Sequence, residues 1–220
     1  MIEPSKIQEE SVTLERVGIK SRMNKLSSKR VMDLVISLTS MILLSPIFLL
    51  LYLLIRMMDG RPVIFKQTRT GINHTPFTIY KFRTMRKSNE TEYGWKGKVP
   101  DDFVFKGEHN PDITTLGKLL RKTSLDELPQ LLNVLKGDMS IVGPRPEVPR
   151  ITRYYDGQQQ QRLCVKPGMT GYAQVNGRSD MNHGQKIAYD LYYVYNQSLR
   201  LDFKILLKTI VTVLRRGGSY

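Results

Sequence analysis

Cysteine and histidine are scarce in this 220-residue chain, and their scarcity excludes several kinds of site. One cysteine, Cys164, leaves no partner for an internal disulfide and fits a reducing compartment. We expect it to behave as a small buried hydrophobic residue. The histidines His74, His109 and His183 are far apart and lack zinc-ligand spacing. Neither a GxxxxGKS/T loop nor a GxGxxG loop is present, so the standard nucleotide-cradling loops are excluded as well.

Acidic residues are also few, because the chain carries 34 Lys and Arg against 20 Asp and Glu, a net charge of +14. Such a surplus implies an anionic partner, namely nucleic acid, a phosphorylated small molecule or an anionic membrane surface. No helix-turn-helix, RRM or zinc pattern is recognisable, which argues against nucleic acid. The length is that of one domain with room for a hydrophobic core.

One long apolar run extends from Leu34 to Ile55 and contains no charged residue. It is long enough to span a bilayer, for which about 20 residues are needed. The pair Ser45-Pro46 falls near its middle, where a proline breaks or kinks a helix. Lys and Arg flank both ends in similar numbers, and the positive-inside rule then places both ends on the cytoplasmic face. These features favour a re-entrant helical hairpin; a kinked single span is the alternative.

Two further features concern the membrane edge. Asp33 lies about one turn after Lys29 and Arg30, and a pairing with either would make an acid tolerable there. The segment 201–216 predicts an amphipathic basic helix, suited either to the headgroup region or to packing on the protein's own core. Its apolar positions are Phe203, Leu206, Leu207, Ile210, Val211 and Leu214, and its basic positions are Lys204, Lys208, Arg215 and Arg216.

The overall pattern predicts an α+β fold, mostly helical with short strands. We expect a polar tail at 1–28, a re-entrant membrane helix at 29–56 and a cytoplasmic catalytic domain at 57–220 that includes the amphipathic helix. The elements expected in this domain are two strands around a turn between Arg61 and Met85, a long loop at 86–113, helices at Leu116–Leu120, from Pro129 and at Gly184–Asn196, a strand in MSIVGPRPEVP, and a turn, a strand and an Asn-Gly turn in KPGMTGYAQVNGR.

An adjacent acidic pair, Asp126-Glu127, precedes Pro129 in the stretch TSLDELPQLLN. A capping box of Ser124 and Glu127 would account for Glu127 but not for Asp126, and it would put the proline inside the helix. A helix that begins at Pro129 and ends at Gly137 suits proline better. The pair would then lie at a helix N-terminus, where a carboxylate stays ionised and a phosphate is favoured.

Four cations are candidates for binding phosphate. Lys81 and Arg83 alternate with apolar residues on a predicted strand. Arg121 precedes the acidic pair, and Arg145 is stiffened by a proline on either side. Each of them alone is more typical of a solvated surface charge. Together with two carboxylates, they point to phosphoryl chemistry in which one acid holds a metal and the other attacks or acts as a base.

An ordered set of motifs covers most of the chain, from Lys29 to about Arg216. The motifs are KRVMD, the Ser45-Pro46 break, YKFRTM, LRKTSLDELPQLLNVLKGDMSIVGPRPE, VKPGMTGYAQVNGR and SLRLDFKILLKTI. In this order the sequence closely resembles the monotopic phosphoglycosyl transferases, the bacterial sugar transferases that start glycoconjugate assembly on polyprenol phosphate. The resemblance implies a re-entrant membrane helix, an active site on the cytoplasmic face of the bacterial inner membrane, Mg²⁺ and a ping-pong mechanism.

Residue roles follow from this resemblance. Asp126 would attack the sugar-bearing phosphate of a UDP-sugar and release UMP, and undecaprenyl phosphate would then attack the aspartyl phosphosugar. Glu127 would bind Mg²⁺. Lys81, Arg121 and Arg145 would hold phosphates. The expected partners are therefore a UDP-sugar, undecaprenyl phosphate and membrane lipids, and the sequence is also compatible with an oligomer.

The resemblance leaves some points open. Asp202 matches a recurrent acid for which a structural function is as good an explanation as a catalytic one. Met181–Gln185 replaces a tryptophan-containing stretch expected there, and the additional spanning helices of the long family members are lacking. A membrane-associated, Mg²⁺-dependent phosphatase or nucleotidyl transferase with the same acid pair is the alternative enzyme. A basic module that binds nucleic acid or anionic lipid is the non-enzymatic alternative, and it would not need the acids.

Overall fold

The computed structural model describes residues 19–86, 94–95, 98–104, 111–177 and 181–215. Its helices are α1 (Ile19–Leu43), α2 (Ser45–Met58), α3 (Thr115–Lys122), α4 (Leu131–Lys136), α5 (Pro149–Thr152), α6 (Gly157–Gln160), α7 (Tyr172–Asn176), α8 (His183–Asn196) and α9 (Leu199–Arg215). Its strands are β1 (Ile64–Thr70), β2 (Pro76–Phe82), β3 (Ser140–Val142) and β4 (Gly168–Thr170), and 3₁₀ segments lie at Ile72–His74, Leu125–Gln130 and Gln161–Cys164. Helices with short strands confirm the α+β class. Residues 1–18 of the predicted tail and much of the loop 86–113 lie outside the described residues, whereas residues 19–28 belong to α1 and not to an irregular tail.

The long apolar run is broken where the sequence indicated. Between α1 and α2 the Ser45 hydroxyl donates to a carbonyl of the last turn of α1 at 2.8 Å. Pro46 lies in the first turn of α2, where its missing N–H costs nothing. Within the described part of the chain, no single helix has the length and apolar composition needed to cross a membrane. The pair Ser28–Leu43 and Ser45–Met58, bent by 61°, meets that test jointly.

The prediction that Asp33 pairs with Lys29 or Arg30 is wrong. The buried Asp33 carboxylate instead accepts hydrogen bonds from the Ser140 hydroxyl at 3.0 Å and from the Ile141 N–H at 2.9 Å. Since α1 packs on the short strand β3, the strand's backbone satisfies the acid, and no cation is required for this.

Lys29 and Arg30 of α1 contact other parts of the fold. Lys29 forms a buried ion pair with Asp202 of α9 at 2.7 Å, and the Tyr193 hydroxyl donates to the same carboxylate at 2.8 Å. Arg30 donates to two carbonyls at the end of α4, where cations complement the helix dipole. Asp202 therefore has a structural role, and α1 is attached both to α9 and to the helix that follows the acidic pair.

Strands β1 and β2 form the predicted antiparallel pair, and β3 pairs with β4 in parallel. The outer edge of β2 is occupied by the side-chain amide of Asn133, which bonds to the Thr78 carbonyl at 2.7 Å and to the Tyr80 N–H at 3.1 Å. This amide takes the place of a neighbouring strand. It fixes α4 against β2, which carries Lys81.

The main hydrophobic core lies between these elements. It consists of Ile79, Leu131, Val134, Met139, Ile141, Val142, Tyr193 and Ile205. Helix α4 ends at Gly137 as predicted, in a left-handed conformation with φ of 92°. Two local predictions are wrong. The expected Asn-Gly turn is instead the end of α7. Cys164 is exposed at the end of a 3₁₀ segment whose Arg162 and Leu163 are buried.

Helix α9 fits both alternatives left open by its sequence. Its Asp202 and Ile205 are buried against the protein. A row of apolar side chains on the rest of the helix is exposed and consists of Phe203, Leu207, Ile210, Val211 and Val213. Helices α1 and α2 also expose many apolar side chains, among them Val35, Leu38, Ile42, Leu43, Leu49, Leu50 and Leu53. Exposed apolar surface of this extent is typical of an interaction site rather than of a solvated face.

Candidate active site

The acidic pair lies on the 3₁₀ segment Leu125–Gln130, which starts immediately after α3. Ser124 has a left-handed conformation with φ of 56°, and its side chain makes no capping hydrogen bond. The capping box is therefore absent, and the prediction that the helix begins at Pro129 is also wrong. The left-handed Ser124 separates α3 from the 3₁₀ segment that follows it. Pro129 then lies just before the change to α4.

The two acids have opposite electrostatic environments. The side chain of Asp126 is 8% exposed. Burial, together with the negative charge of Glu127, raises the pKa of Asp126 to about 6 against the opposing charges of Lys81 and Arg145. The sequence predicts a carboxylate that stays ionised. With its pKa raised to about 6, the Asp126 carboxylate is still mostly ionised at pH 7.

Glu127 is neutralised by two cations. Its Oε1 accepts from Lys81 Nζ at 2.7 Å and from Arg145 Nη2 at 2.6 Å. Burial alone would raise the pKa of Glu127, but Arg145 and Lys81 outweigh it and hold this pKa well below its usual range. Burial lowers the pKa of Lys81. The structure thus brings Lys81 and Arg145 to Glu127 of the acidic pair, and their role in binding phosphate stays a prediction.

The other two predicted cations lie differently. Arg121, in the last turn of α3, donates to the Thr84 hydroxyl at 3.0 Å, and its charge lowers the pKa of Asp126. Arg83 follows the end of β2 and points away from the acids. Its guanidinium binds the carbonyls of Asp59, Gly60 and Arg61 at the end of α2. The structure therefore does not bring Arg83 to the acidic pair, because the strand alternation that the sequence suggested ends at Phe82.

Arg145 projects from a segment whose backbone is held in place by hydrogen bonds to its carbonyl groups. Each carbonyl of residues 144–147 accepts a hydrogen bond from outside the segment. The donors are the Gly168 N–H to Pro144 at 2.9 Å, the Arg162 guanidinium to Arg145 at 2.9 Å, the Arg69 guanidinium to Pro146 at 3.1 Å and the Thr70 N–H to Glu147 at 2.9 Å. The Arg145 guanidinium is thus presented to Glu127 from a rigid support.

Asn133 and Arg162 were not predicted from the sequence. A signal for Asn133 exists, since a lone amide interrupts the apolar stretch LLNVL. Arg162 has no comparable signal in QRLCVKPG, because its partners come from distant parts of the chain.

The donor set fits one Mg²⁺ ion only in part. Among the described residues, no three His, Cys, Asp or Glu side chains come together as a metal cluster. Mg²⁺ often binds through one or two carboxylates and completes its shell with water and substrate phosphates. Glu127 is such an ionised carboxylate, and its Oε2 has a long contact of 3.4 Å to Arg145. The site is therefore compatible with a metal brought in together with a diphosphate.

The model of the bacterial sugar transferase family matches residues 24–216, and the chain belongs to this family. It is an enzyme of the phosphoglycosyl transferase type.

The chain is similar to several named members. It is 41% identical over 207 residues to the exopolysaccharide production protein ExoY of Sinorhizobium fredii, with 88% of each chain covered. It is 41% identical over 213 residues to an undecaprenyl-phosphate galactose phosphotransferase of Salmonella typhimurium, covering 92% of this chain and 44% of that protein. It is 40% identical over 200 residues to a UDP-galactose-lipid carrier transferase of Erwinia amylovora, covering 87% and 41%.

Proposed function

We propose that this enzyme transfers a sugar-1-phosphate from a UDP-sugar to undecaprenyl phosphate, with Asp126 as the nucleophile. The observation that carries the proposal is the contrast between the adjacent acids. Glu127 is neutralised by Lys81 and Arg145, whereas Asp126 is buried, basic for a carboxylate and next to the same cations. The names of the relatives from Salmonella typhimurium and Erwinia amylovora support a lipid carrier as the acceptor.

In the first step, a carboxylate oxygen of Asp126 bonds to the sugar-bearing phosphorus of the UDP-sugar. The bond from that phosphorus to the oxygen of UMP breaks, and UMP leaves with the electron pair. With a pKa of about 6, Asp126 is mostly ionised at pH 7 and remains a better base than an ordinary aspartate. Lys81 and Arg145 reduce the repulsion between this carboxylate and the diphosphate.

In the second step, a phosphate oxygen of undecaprenyl phosphate attacks the same phosphorus. The acyl phosphate bond breaks, the Asp126 carboxylate is restored, and undecaprenyl-diphosphate-sugar is formed. Glu127 would hold Mg²⁺, which when bound supplies further neutralisation of the diphosphate. This transfer would be the first membrane step of exopolysaccharide or related glycoconjugate assembly.

A covalent-labelling experiment tests the mechanism. Incubation with a UDP-sugar carrying labelled sugar, without lipid acceptor, should release UMP and leave the label on the protein, and undecaprenyl phosphate should then discharge it. Asp126→Asn should neither retain label nor turn over, because an amide cannot form the acyl phosphate. Release of free phosphate or of diphosphate without retained sugar would instead indicate the phosphatase or nucleotidyl transferase. Label on Asp126→Asn would refute the assignment of the nucleophile.

We further propose that residues 29–56 form a re-entrant hairpin and that the catalytic domain lies on the cytoplasmic face of the bacterial inner membrane. The bent helix pair and the exposed apolar row of α9 support this topology. Single cysteines at Ser5 and at Ser219, in a Cys164→Ser background that removes the exposed native thiol, should both be protected from a periplasmic thiol reagent. Labelling of one end alone would indicate a single span.

A further inference from the structure

Arg162 is a charged residue in an unexpected place. It is 2% exposed and lies on the 3₁₀ segment Gln161–Cys164, behind the segment that presents Arg145. Its guanidinium donates to the Asp190 carboxylate at 2.5 Å and to the Tyr155 hydroxyl at 2.5 Å. An apolar side chain of similar volume often stabilises a protein as well as a buried ion pair does. The buried ion pair by itself is therefore weak evidence that Arg162 is present for stability.

The third partner of Arg162 offers an explanation. Its Nη2 also donates to the backbone carbonyl of Arg145 at 2.9 Å. The neighbouring prolines restrict the backbone on both sides of Arg145 but have no N–H to anchor it. The hydrogen bond from Arg162 fixes the peptide plane from which the Arg145 side chain departs. That side chain reaches Glu127 at 2.6 Å.

We infer that Arg162, held in place by Asp190, is a positioning residue that sets the Arg145 guanidinium for its contact with the diphosphate of the donor. This inference rests on the proposed function and deepens it. Arg162 acts through Arg145, and its effect on the reaction should disappear when Arg145 has no guanidinium to position. The Asp190 carboxylate and the Arg145 carbonyl both accept from Nη2 of Arg162, and the rigid guanidinium plane holds this nitrogen at one point, which the flexible stem of a lysine would not do.

A double-mutant cycle tests this dependence. Arg162→Lys keeps the charge opposite Asp190 but loses the planar guanidinium. We expect kcat/KM for UMP release to fall by about 10-fold or more, because small displacements of binding groups are costly to catalysis. In an Arg145→Ala background, the same Arg162→Lys change should alter kcat/KM by less than about 2-fold. If Arg162→Lys does not fold, Asp190→Asn, which keeps the shape of the side chain, replaces it in the double-mutant cycle.

Tyr155→Phe is the matched control. It removes one hydrogen bond of Arg162 but leaves the contact with the Arg145 carbonyl. We expect it to lower the melting temperature and to keep kcat/KM within about 2-fold of the wild-type value. Equal losses from Arg162→Lys in both backgrounds, or a loss from Tyr155→Phe as large as that from Arg162→Lys, would overturn the inference and leave the proposed function standing. A wild-type protein that releases no UMP would overturn the proposed function and the inference with it.

Discussion

Asp126→Asn should make the protein more stable as well as inactive. The pKa of Asp126 is raised from 3.8 to about 6 in the folded protein. The folded state therefore binds this proton more tightly than the unfolded chain does. Stability from this group is greatest below pH 4, falls as pH rises through about 6, and is constant above that. The difference between a pKa of 3.8 and one of about 6 corresponds to about 3 kcal/mol of free energy of unfolding lost at pH 7.

Asparagine resembles the protonated acid and does not incur this loss. The stability gained by Asp126→Asn should grow from about 0.5 kcal/mol at pH 4 to about 3 kcal/mol at pH 7. Urea unfolding of both proteins in detergent micelles, followed by circular dichroism at several pH values, measures the difference. A variant that is less stable than wild type at pH 7, or a difference that does not change with pH, would refute the reasoning.

Glu127→Gln is a neighbouring control with the opposite sign. The pKa of Glu127 is lowered by Arg145 and Lys81 despite burial, so its charge contributes stability that is present above pH 4.5 and is lost only in acid. Removing the charge leaves Lys81 and Arg145 without their shared negative charge, so Glu127→Gln should lower the stability at pH 7. At pH 7, Asp126→Asn should therefore raise the urea midpoint, and Glu127→Gln should lower it.

Three other predictions follow from single side chains. Formation of the covalent label should rise about 10-fold between pH 5 and pH 7 as Asp126 ionises; a flat profile in rapid-quench measurements would contradict the raised pKa. Asn133→Ala should cost about 2 kcal/mol or more in urea unfolding, because it leaves the edge groups of β2 unpaired; an unchanged midpoint would refute this role. Gly117→Ala should lower the melting temperature, because a Cβ atom there would lie 2.2 Å from the Thr84 carbonyl oxygen, and unaltered melting would show that this close packing yields.

The parts of the fold that the sequence predicted correctly have local causes. Alternation around a short turn predicted β1 and β2, and the Ser45-Pro46 pair marked the break between α1 and α2. Helix α8 begins at His183, one residue from the predicted start, because Asn182 and Gln185 form a capping box. A motif of a few consecutive residues determines each of these features.

The errors concern residues whose partners are distant in the chain. Asp33 was assigned to a cation one turn away, but its partners lie more than a hundred residues along the chain on β3. Arg83 was grouped with Lys81 by alternation, although the end of β2 turns it towards α2. Arg162 was missed for the same reason. Local pattern can identify a charged residue, but tertiary packing decides which group neutralises it.

The contrast between Asp126 and Glu127 shows why a basic protein needs two adjacent acids at one site. Two cations close enough to bind a diphosphate would repel each other if they were buried alone, and Glu127 holds them together at a single oxygen. Lys81 and Arg145 are hydrogen-bonded to Glu127, so they lower the pKa of Asp126 only through space. Burial outweighs this effect and raises the pKa of Asp126 to about 6. In the proposed mechanism, one carboxylate thus assembles the cationic site, and the other remains basic enough to attack. Exchange of the two residues, Asp126→Glu with Glu127→Asp, should disturb both functions, because each depends on the length of its side chain.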